Sequence, residues 1–401
     1  MSETRQAISV VCSDLSENCL GRAQVLAEVL AGFGPVNIVG PQLRSEIWRP
    51  AQSSPLQMRS FAMRSAFAYP AAARWLRKEL TGTRVVVSKP RSTSFGLALA
   101  AGVGPRQMLL DIDDWELGFM QPGRPNAAAR FDVMASRAAQ LLAPKALNSY
   151  VGIRLLDATS GRVPQRIVSN SWLQKRFGGV VVPHVRDTEQ LDPARYQAEA
   201  RERRAAQGMD GRTWVGFIGT IREHKGVDDL VTAIAQLAGE RAPGLFLAGV
   251  DFEHTFSKVV LAQARAALPE SRLRVLGAFD GAELPGWVAA TDVICIPSRD
   301  IPGARGQIPA KLFDAMAMAK PIVSSDVNDM GHILQDCGLL FPAGDTAALS
   351  ERLGRLATDR ELGARLGAAA RTRAIADFSV ESGRRAVREL VLELAPFAPS
   401  L

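Results

Sequence analysis

The sequence has little of the chemistry that marks metal-bound, disulfide-stabilised or membrane-spanning proteins. Its 401 residues include only four cysteines and four histidines, and the cysteines lack the short spacing typical of zinc sites and disulfide frameworks. Apolar stretches such as residues 95–104 are about half as long as the ~20 residues that a transmembrane helix needs. The opening MSETRQ lacks the pattern of a signal peptide. We therefore expect a cytosolic globular protein without structural metal.

Charge is distributed unevenly along the chain. Basic and acidic residues number 24 and 16 in residues 1–200, but 24 and 25 in the remainder. The excess is concentrated in residues 41–110, which hold eleven basic and two acidic residues. A basic, partly apolar surface of this kind attracts an anionic ligand or an anionic membrane. A solvated helix face explains the same pattern equally well.

Strand-like apolar runs alternate with amphipathic helical segments, and this alternation occurs twice along the chain. The first series begins with AISVVCSD and the second with RTWVGFIGT. Such alternation is typical of parallel sheets covered by helices. We predict an α/β fold with two Rossmann-like doubly wound domains, at residues 1–200 and 201–375, joined near 190–210. Residues 376–401 are predicted to form a helix that can return to the first domain.

In open α/β sheets ligands bind at the carboxyl ends of the strands, so the loops that follow strands are the places to look for a site. One such loop lies in IGTIREHKGVDDL, residues 218–230. Gly219 and Gly226 allow a close turn, and Lys225 adds a positive charge to amide groups that favour an anion. The alternative is a solvated lysine beside a glycine at the start of a helix.

A second loop, RDIPGARGQIPAKLFDAMAMAKP at residues 299–321, is also rich in glycine. Pro309 suits the first turn of a helix, and the preceding loop can offer amides to an anion. Lys311 and Asp314 then share one helix face. A carboxylate at Asp314 can accept hydrogen bonds from a ribose diol, although a local pair with Lys311 is the simpler alternative.

Three motifs together carry a family resemblance. VGFIGTIREHKGVDDLVTAI, LRVLGAFDGAELPGWVAATDVICIPS and IPAKLFDAMAMAKPIVSS with GLLFPAGD resemble the donor-binding half of the retaining glycosyltransferases of family 4. The match spans residues 214–378, and the first half of the chain matches more weakly. The resemblance implies the GT-B fold, in which two Rossmann-like domains face each other across a cleft. It also implies metal-independent sugar transfer from a nucleotide-diphosphate-sugar to a hydroxyl group with retention of configuration, without a further cofactor.

The resemblance assigns the loop at 218–230 to the donor diphosphate. Lys225 would bind the diphosphate and stabilise its departure, and Gly219 and Gly226 keep the family spacing. Thr220 stands where the family has an arginine, which removes one positive charge. That charge would have to come from elsewhere, and the candidates are Arg222, Arg305 and Lys311.

The family also has two glutamates separated by seven residues. Asp314 stands at the second position, which contacts the ribose, and Gly306 stands at the first, which contacts the sugar. The loss of that first carboxylate leaves the backbone of residues 303–308 as the expected contact. The nucleobase would lie against the segment that contains Gly277, Ala278 and Phe279.

The first half offers weaker candidates. Relatives place a glycine-rich loop against the donor phosphates where Leu20, Gly21 and Arg22 stand here. The alternative is that Gly21 only admits the helix close to the sheet. His184 ends a strand, but a lone histidine is more often structural.

An acidic segment follows the predicted strand in LLDIDDWELGF. Mutual repulsion between Asp111, Asp113, Asp114 and Glu116 is tolerated only with solvent, cations or a hydrogen-bonding ligand. Asp113 or Asp114 is therefore predicted to meet acceptor hydroxyls, as a proton acceptor. The alternative is a solvated acidic turn above Trp115.

Three other functions remain open from the sequence. Asp111-Ile112-Asp113 fits the Asp-x-Asp string of metal-dependent transferases with a different fold. A sugar-nucleotide epimerase shares the two-domain architecture, and a nucleotide-binding module would lack turnover. The predicted partners are a nucleotide-sugar donor, a lipid-linked or small-molecule acceptor in cell-surface polysaccharide or glycoconjugate synthesis, and an anionic inner membrane face, with no nucleic acid.

Overall fold

Parallel strands and the helices between them make up most of the chain. The structure, a computed structural model, describes residues 6–120, 147–209, 211–240 and 242–399. The strands of these residues are β1 (Ile8–Val11), β2 (Val36–Gln42), β3 (Gln57–Ala62), β4 (Arg84–Ser88), β5 (Met108–Ile112), β6 (Arg166–Val168), β7 (Val180–Val181), β8 (Trp214–Ile218), β9 (Gly244–Val250), β10 (Leu273–Gly277), β11 (Val293–Ile296), β12 (Ile322–Ser325) and β13 (Leu339–Phe341).

The helices follow the strands, as a parallel sheet requires. In chain order they are α1 (Cys19–Leu30), α2 (Tyr69–Leu80), α3 (Leu97–Ala100), α4 (Glu116–Met120), α5 (Tyr150–Ser160), α6 (Ser171–Phe177), α7 (Gln197–Ala206), α8 (Val227–Gln236), α9 (Thr255–Ala267), α10 (Leu284–Ala290), α11 (Pro302–Arg305), α12 (Lys311–Ala317), α13 (Met330–Ile333), α14 (Thr346–Thr358), α15 (Arg360–Asp377) and α16 (Val380–Glu393).

Two separate parallel sheets share one strand order. The first sheet has the order β3-β2-β1-β4-β5-β6-β7, and the second has β10-β9-β8-β11-β12-β13. Both orders reverse direction beside the first strand, which is the switch point of a doubly wound sheet. The predicted α/β class with two doubly wound domains is confirmed. The loops after β1 and β4, and those after β8 and β11, are therefore the places where a ligand is expected.

The central strands are buried on both faces. The β1 segment ISVV, the β5 segment MLLDI and the β8 segment WVGFI are buried at every position. Near-continuous apolar runs are what parallel strands covered by helices on both faces require. The edge strand β3 differs, since every residue of its QMRSFA segment is exposed or half-buried. The most deeply buried strands therefore lie in the middle of the sheets.

The chain divides into two units after Pro183. Residues 1–183 and 380–401 form the first unit, and residues 184–379 form the second. The sequence placed this division at residue 200. It falls earlier because Arg186 N donates to the Phe378 carbonyl at 2.8 Å and Leu191 is buried in the core of the second unit.

The last helix belongs to the first unit. Arg384 of α16 donates to the carbonyls of Glu28 and Val29 in α1, each at 3.3 Å. Phe397 is 1% exposed within the core of the first unit. None of the helices that the structure describes combines the length and the hydrophobicity that crossing a bilayer requires.

Candidate functional site

The loop after β8 is held in a conformation that needs glycine. Gly226 has a φ of 61°, and a Cβ atom there would lie 2.1 Å from the carbonyl oxygen of Pro297, which follows β11. Gly219 has a φ of 132°. Other residues are strained in this region of φ. The loop is therefore tied to the neighbouring strand end at the switch point of the second sheet.

Lys225 reaches back across this loop. It ends a single 3₁₀ turn, Glu223–Lys225, just before α8. Its ammonium group donates to both the carbonyl oxygen and the hydroxyl of Thr220, each at 2.8 Å. The amino group of Lys225 thus lies beside Thr220, which stands where the family has an arginine.

Lys311 approaches the same loop from α12. Its Nζ atom is shielded from solvent, has no hydrogen-bond partner among the described residues, and lies 3.4 Å from the centroid of the Phe217 ring. A Cβ atom built on Gly219 would lie 3.1 Å from this Nζ. Burial lowers the pKa of Lys311 well below its usual value, and the charge of Lys225 lowers it further. The amino groups of two lysines therefore share one loop, and an anion bound there would favour the charged form of both.

The other two candidates for the missing charge have partners elsewhere. Arg222 donates to the Ile221 carbonyl at 2.7 Å and lies 3.4 Å from the carboxylate of Asp251. The side chain of Arg305 is 54% exposed and pairs with Asp300 at 2.8 Å. Of the three predicted substitutes, Lys311 is the one that reaches Gly219.

The loop around Gly306 differs from the prediction. Residues 302–305 form the short helix α11, and the amides of residues 305, 306 and 307 donate to the carbonyls of residues 301, 303 and 304. These bonds occupy three of the amides that were expected to meet the sugar. The sequence could not show this, because the glycine content of the loop is compatible with either arrangement.

Asp314 pairs with an arginine from a distant loop. Its carboxylate accepts hydrogen bonds from Arg186 at 2.5 and 3.3 Å, and only 6% of the residue is exposed. The local pair with Lys311 that the sequence left open is therefore not formed. Arg186 also donates to the Ala310 carbonyl at 3.2 Å and to the His184 carbonyl at 3.4 Å. The predicted contact of Asp314 with a ribose remains a prediction.

The predicted nucleoside segment follows the end of β10. Gly277 and Phe279 are half-buried, Ala278 is exposed, and the ring of Phe279 packs 6.5 Å from that of Trp287. Phe252, which follows β9, is 45% exposed, and its ring would lie 2.9 Å from a Cβ atom at Gly277. The sequence analysis missed this aromatic surface, because only the fold brings the ends of β9 and β10 together.

Arg299 is a second residue that the sequence analysis missed. It pairs with Asp228 at 2.5 Å and with Asp229 at 3.2 Å in the first turn of α8, and its amide donates to the His224 carbonyl at 2.9 Å. These bonds join the loop after β11 to the turn that carries Lys225. No local sequence signal marks this pairing, since its partners are far apart in the chain.

The first unit places the other predicted phosphate contact inside a helix. Gly21 lies in the first turn of α1, and a Cβ atom there would be 3.4 Å from the Trp48 ring. The alternative in which Gly21 admits the helix to the sheet is not what the structure shows. Its neighbour Arg22 is 2% exposed and pairs with Asp111 at 2.6 Å. Burial lowers the pKa of Arg22, but the charge of Asp111, its hydrogen bonds and the charges of Asp113 and Asp114 together outweigh burial and raise the pKa.

The remaining three acidic residues, Asp113, Asp114 and Glu116, pair with two cations from the loop after β4. The ammonium group of Lys89 lies 2.8 Å from Asp113 and also contacts Asp114, while Arg91 forms two hydrogen bonds with Glu116 at 2.8 and 2.9 Å. The predicted alternative of a solvated acidic turn is therefore wrong. Asp113 is 2% exposed, whereas the side chain of Asp114 is 15% exposed. This geometry leaves Asp114 as the more accessible carboxylate.

The Asp-x-Asp string is engaged by cations in the same way. Asp111 is bound by Arg22 and Asp113 by Lys89. Among the described residues there is no group of three or more His, Cys, Asp or Glu side chains arranged to hold a metal ion.

Burial gives Asp113 an unusual titration. Burial raises the pKa of Asp113 from 3.8 to about 7, the charge of Asp114 adds to the rise, and Lys89 opposes it. Because the folded state binds the Asp113 proton more tightly than the unfolded state, protonation of Asp113 stabilises the folded protein. This stabilisation is complete below about pH 4 and is lost as pH rises through about 7.

We expect Asp113→Asn to become more stable relative to the unmodified protein as pH increases from 4 to 7. The variant loses the buried titrating group, while Lys89 keeps Asp114 and Glu116 within 4 Å. Urea unfolding at a series of pH values measures the difference in free energy. A difference that does not change with pH would contradict the raised pKa.

Comparison with known proteins shows what the chain resembles. Residues 212–359 match the family model described as glycosyl transferases group 1. The alpha-D-kanosaminyltransferase of Streptomyces kanamyceticus is 25% identical over 45% of this chain and 45% of its own length. The chain spans about half the length of the curated relatives it matches.

Solved structures extend the likeness to nearly the whole chain at the level of the fold. A sucrose-phosphate synthase from Thermosynechococcus elongatus has a TM-score of 0.71 at 18% identity, covering 97% of this chain and 99% of its own. Anabaena HepE, in complex with UDP and glucose, has a TM-score of 0.75 at 15% identity, covering 97% and 100%. The family model therefore connects residues 212–359 with glycosyl transferases of group 1, and the two doubly wound sheets match the fold of GT-B glycosyltransferase structures.

Proposed function

We propose that this chain is a glycosyltransferase that moves a sugar from a nucleotide-diphosphate-sugar to a hydroxyl acceptor with retention of configuration. The observation that carries the proposal is the pair of ammonium groups of Lys225 and Lys311 at one glycine loop, at the switch point of the second sheet. A buried cation without a hydrogen-bond partner is costly unless an anion completes the site. A diphosphate has the charge and the size to contact both groups.

The chemistry follows from where charge develops. Breaking the bond between the sugar and the diphosphate builds negative charge on the departing oxygen atoms. Cations fixed in advance near those atoms stabilise the transition state more than the ground state. Lys225 and Lys311 perform this role in the proposal, and Thr220 orients Lys225 through two hydrogen bonds. Arg299 holds the loop in place.

The nucleoside is assigned to the surface that follows β9 and β10. The exposed ring of Phe252 offers a stacking face beside Gly277, and stacking on an aromatic ring tolerates any nucleobase. Asp314 would then accept hydrogen bonds from the ribose, with Arg186 fixing the orientation of its carboxylate. The structure of Anabaena HepE, which is described as a complex with UDP and glucose, supports this class of donor.

The acceptor side of the proposal rests on the first unit. Asp114 is the accessible carboxylate of the acidic segment, with Lys89 holding it in place. Arg64, Arg74 and Arg77 are exposed in and just before α2, and so is Phe67, at 78%. The proposal includes contact of this surface with an anionic membrane and a role in polysaccharide or glycoconjugate synthesis. Co-sedimentation with phosphatidylglycerol vesicles measures the membrane contact.

A thermal-shift panel tests the donor site. Because a ligand that binds only the native state raises the melting temperature, UDP, GDP or ADP should stabilise the full chain. The matching monophosphate should stabilise it less, and the nucleoside least, since the two lysines act on the diphosphate. Equal stabilisation by nucleoside and diphosphate, or by none of the nucleotides, would contradict the proposal.

A product assay then separates the proposed activity from its alternatives. A transferase releases nucleoside diphosphate in proportion to added acceptor. An epimerase converts the nucleotide-sugar when no acceptor is present, and a binding module binds the nucleotide-sugar without turnover. The assay uses nucleotide-sugars of the base whose nucleoside diphosphate gives the largest thermal shift.

A further inference from the structure

A cavity in the first unit borders the acidic segment at 111–116 and the loop that follows β1. Its volume is about 190 Å³, and its lining includes Ser13, Asp14, Glu17, Arg91 and Glu116. These residues follow β1, β4 and β5, so the cavity lies at the carboxyl end of the first sheet, beside its switch point. Pockets for drug-sized ligands measure ~300–1,000 Å³. This cavity is therefore suited to a single small ring.

Two buried polar atoms in the lining lack a partner. Asp14 is 4% exposed, and its Oδ1 atom accepts hydrogen bonds from the Ser16 amide, the Ser16 hydroxyl and the Leu43 amide. Its Oδ2 atom has no hydrogen-bond partner in the described part of the chain, and neither has the hydroxyl of Ser13, which is 1% exposed. Leaving buried polar atoms without partners is unfavourable. The lining is thus incomplete without a ligand that donates hydrogen bonds.

The charge of the lining selects among such ligands. Glu116 is neutralised by its two hydrogen bonds with Arg91. Glu17 pairs with Arg44 at 2.8 Å, but the Arg44 side chain is 61% exposed, so solvent screens that pair. Asp14 has no ion pair among those found in the described residues. The uncompensated charge is therefore negative, which favours a cation and disfavours an anion.

We infer that this cavity binds one ring of the acceptor, and that the ring carries hydroxyl groups together with an amine. The ammonium group or a hydroxyl donates to Asp14 Oδ2, and a second hydroxyl group pairs with Ser13 Oγ. The inference rests on the proposed function in calling this ring the acceptor, but binding itself needs neither donor nor turnover. It also runs against the anionic acceptor that the basic residues 41–110 suggested.

The test compares three matched rings that differ in charge. Methyl α-glucoside, its 2-amino analogue and its glucuronide are titrated against the full chain at pH 7, with binding followed by ligand-detected NMR. The amino sugar should bind most tightly and the glucuronide most weakly. Tighter binding of the glucuronide, or binding of none of the three, overturns the inference.

Variants of Asp14 locate the bound ring. Asp14→Asn should weaken binding of the amino sugar about tenfold, because a hydrogen bond to a charged group is lost, and should affect the neutral ring less. Asp157→Asn is the matched control, since Asp157 pairs with Arg176 and does not line the cavity. An unchanged affinity in Asp14→Asn, or an equal loss in the control, overturns the inference.

Two further measurements cover the case in which Asp14→Asn does not fold and separate the cavity assignment from the proposed function. If Asp14→Asn does not fold, Ser13→Ala removes the other unpartnered atom and should weaken all the rings by a similar factor, whereas no change would overturn the inference. Thermal shifts with nucleoside diphosphates are measured on the same samples. Nucleotide binding without ring binding rejects the cavity assignment alone, and ring binding without nucleotide binding rejects only the proposed function.

Discussion

Replacing Lys311 by Met is expected to make the protein more stable while removing most of its sugar-transfer activity. The side chain of Lys311 ends in a buried amino group that has no hydrogen-bond partner among the described residues. Methionine fills a similar volume against the Phe217 ring without leaving a buried polar group unsatisfied. We expect stabilisation of about 1–3 kcal/mol without donor, the range for burial of an unsatisfied polar group.

The activity of the same variant should fall because its charge is needed at the diphosphate. Removing one fixed donor from a site that stabilises developing charge costs about 10²–10³-fold in rate. Lys225→Ala should lose a comparable amount, but without the gain in stability, since its ammonium group already has two hydrogen bonds to Thr220. Opposite changes in melting temperature and turnover therefore distinguish the two lysines.

Lys258→Ala is the control for both lysine variants. Its side chain is 57% exposed and pairs with Glu253 at the surface of the same unit. Melting temperature, nucleotide-induced thermal shift and the rate of diphosphate release are measured for all three variants. A Lys311→Met protein that keeps full transfer activity, or that melts at a lower temperature, would show that the ammonium group does not complete an anion site.

Replacing Arg22 by Met is expected to destabilise the first unit by about 3–5 kcal/mol. Arg22 and Asp111 are both almost fully buried. Arg22 also donates to the carbonyls of Val182 and Pro183, each at 2.9 Å. Removing one partner of a buried ion pair leaves an uncompensated charge, and this costs far more than the pair contributes. Calorimetric unfolding of the full chain, with the two transitions assigned by variants in each unit, measures the loss.

A second substitution shows whether the uncompensated charge is the cause. Arg22→Met combined with Asp111→Leu should recover much of the lost stability, since neither charge is then buried. Arg59→Ala breaks the more exposed pair with Glu79 and should cost less than about 1 kcal/mol. If the double variant is no more stable than Arg22→Met, the loss comes from packing and not from charge.

The sequence could predict the elements whose signals are local. Periodic apolar runs indicated the two doubly wound sheets, because parallel strands buried on both faces leave a continuous hydrophobic pattern. The glycines Gly219 and Gly226 indicated a close turn beside Lys225, but the spacing left a solvated lysine open, and only the family resemblance connected the turn with a diphosphate. Asp314 was recognisable as a candidate because it lies on the same helix face as Lys311, just after a glycine-rich loop.

The pairings between distant loops could not be predicted from the sequence. Arg22 lies 89 residues before Asp111, and nothing near either residue indicates the other. The acidic segment at 111–116 was expected to face an acceptor or solvent, yet Lys89 and Arg91 from another loop neutralise most of it. The sequence also could not show which of Lys311, Arg222 and Arg305 lies next to Gly219, because this depends on where α12 begins relative to β8. Such pairings are set by the order of strands in the sheet, which brings remote loops together.

The first unit is built from two separated parts of the chain, and this affects how the protein can be made. Phe397, which follows α16, completes a hydrophobic core whose other described residues all precede position 184. On the ribosome, those earlier residues emerge long before their final helix. A nascent chain must therefore hold an unfinished core while the whole second unit is synthesised, and the window for aggregation or chaperone binding closes only when the residues after position 380 have emerged.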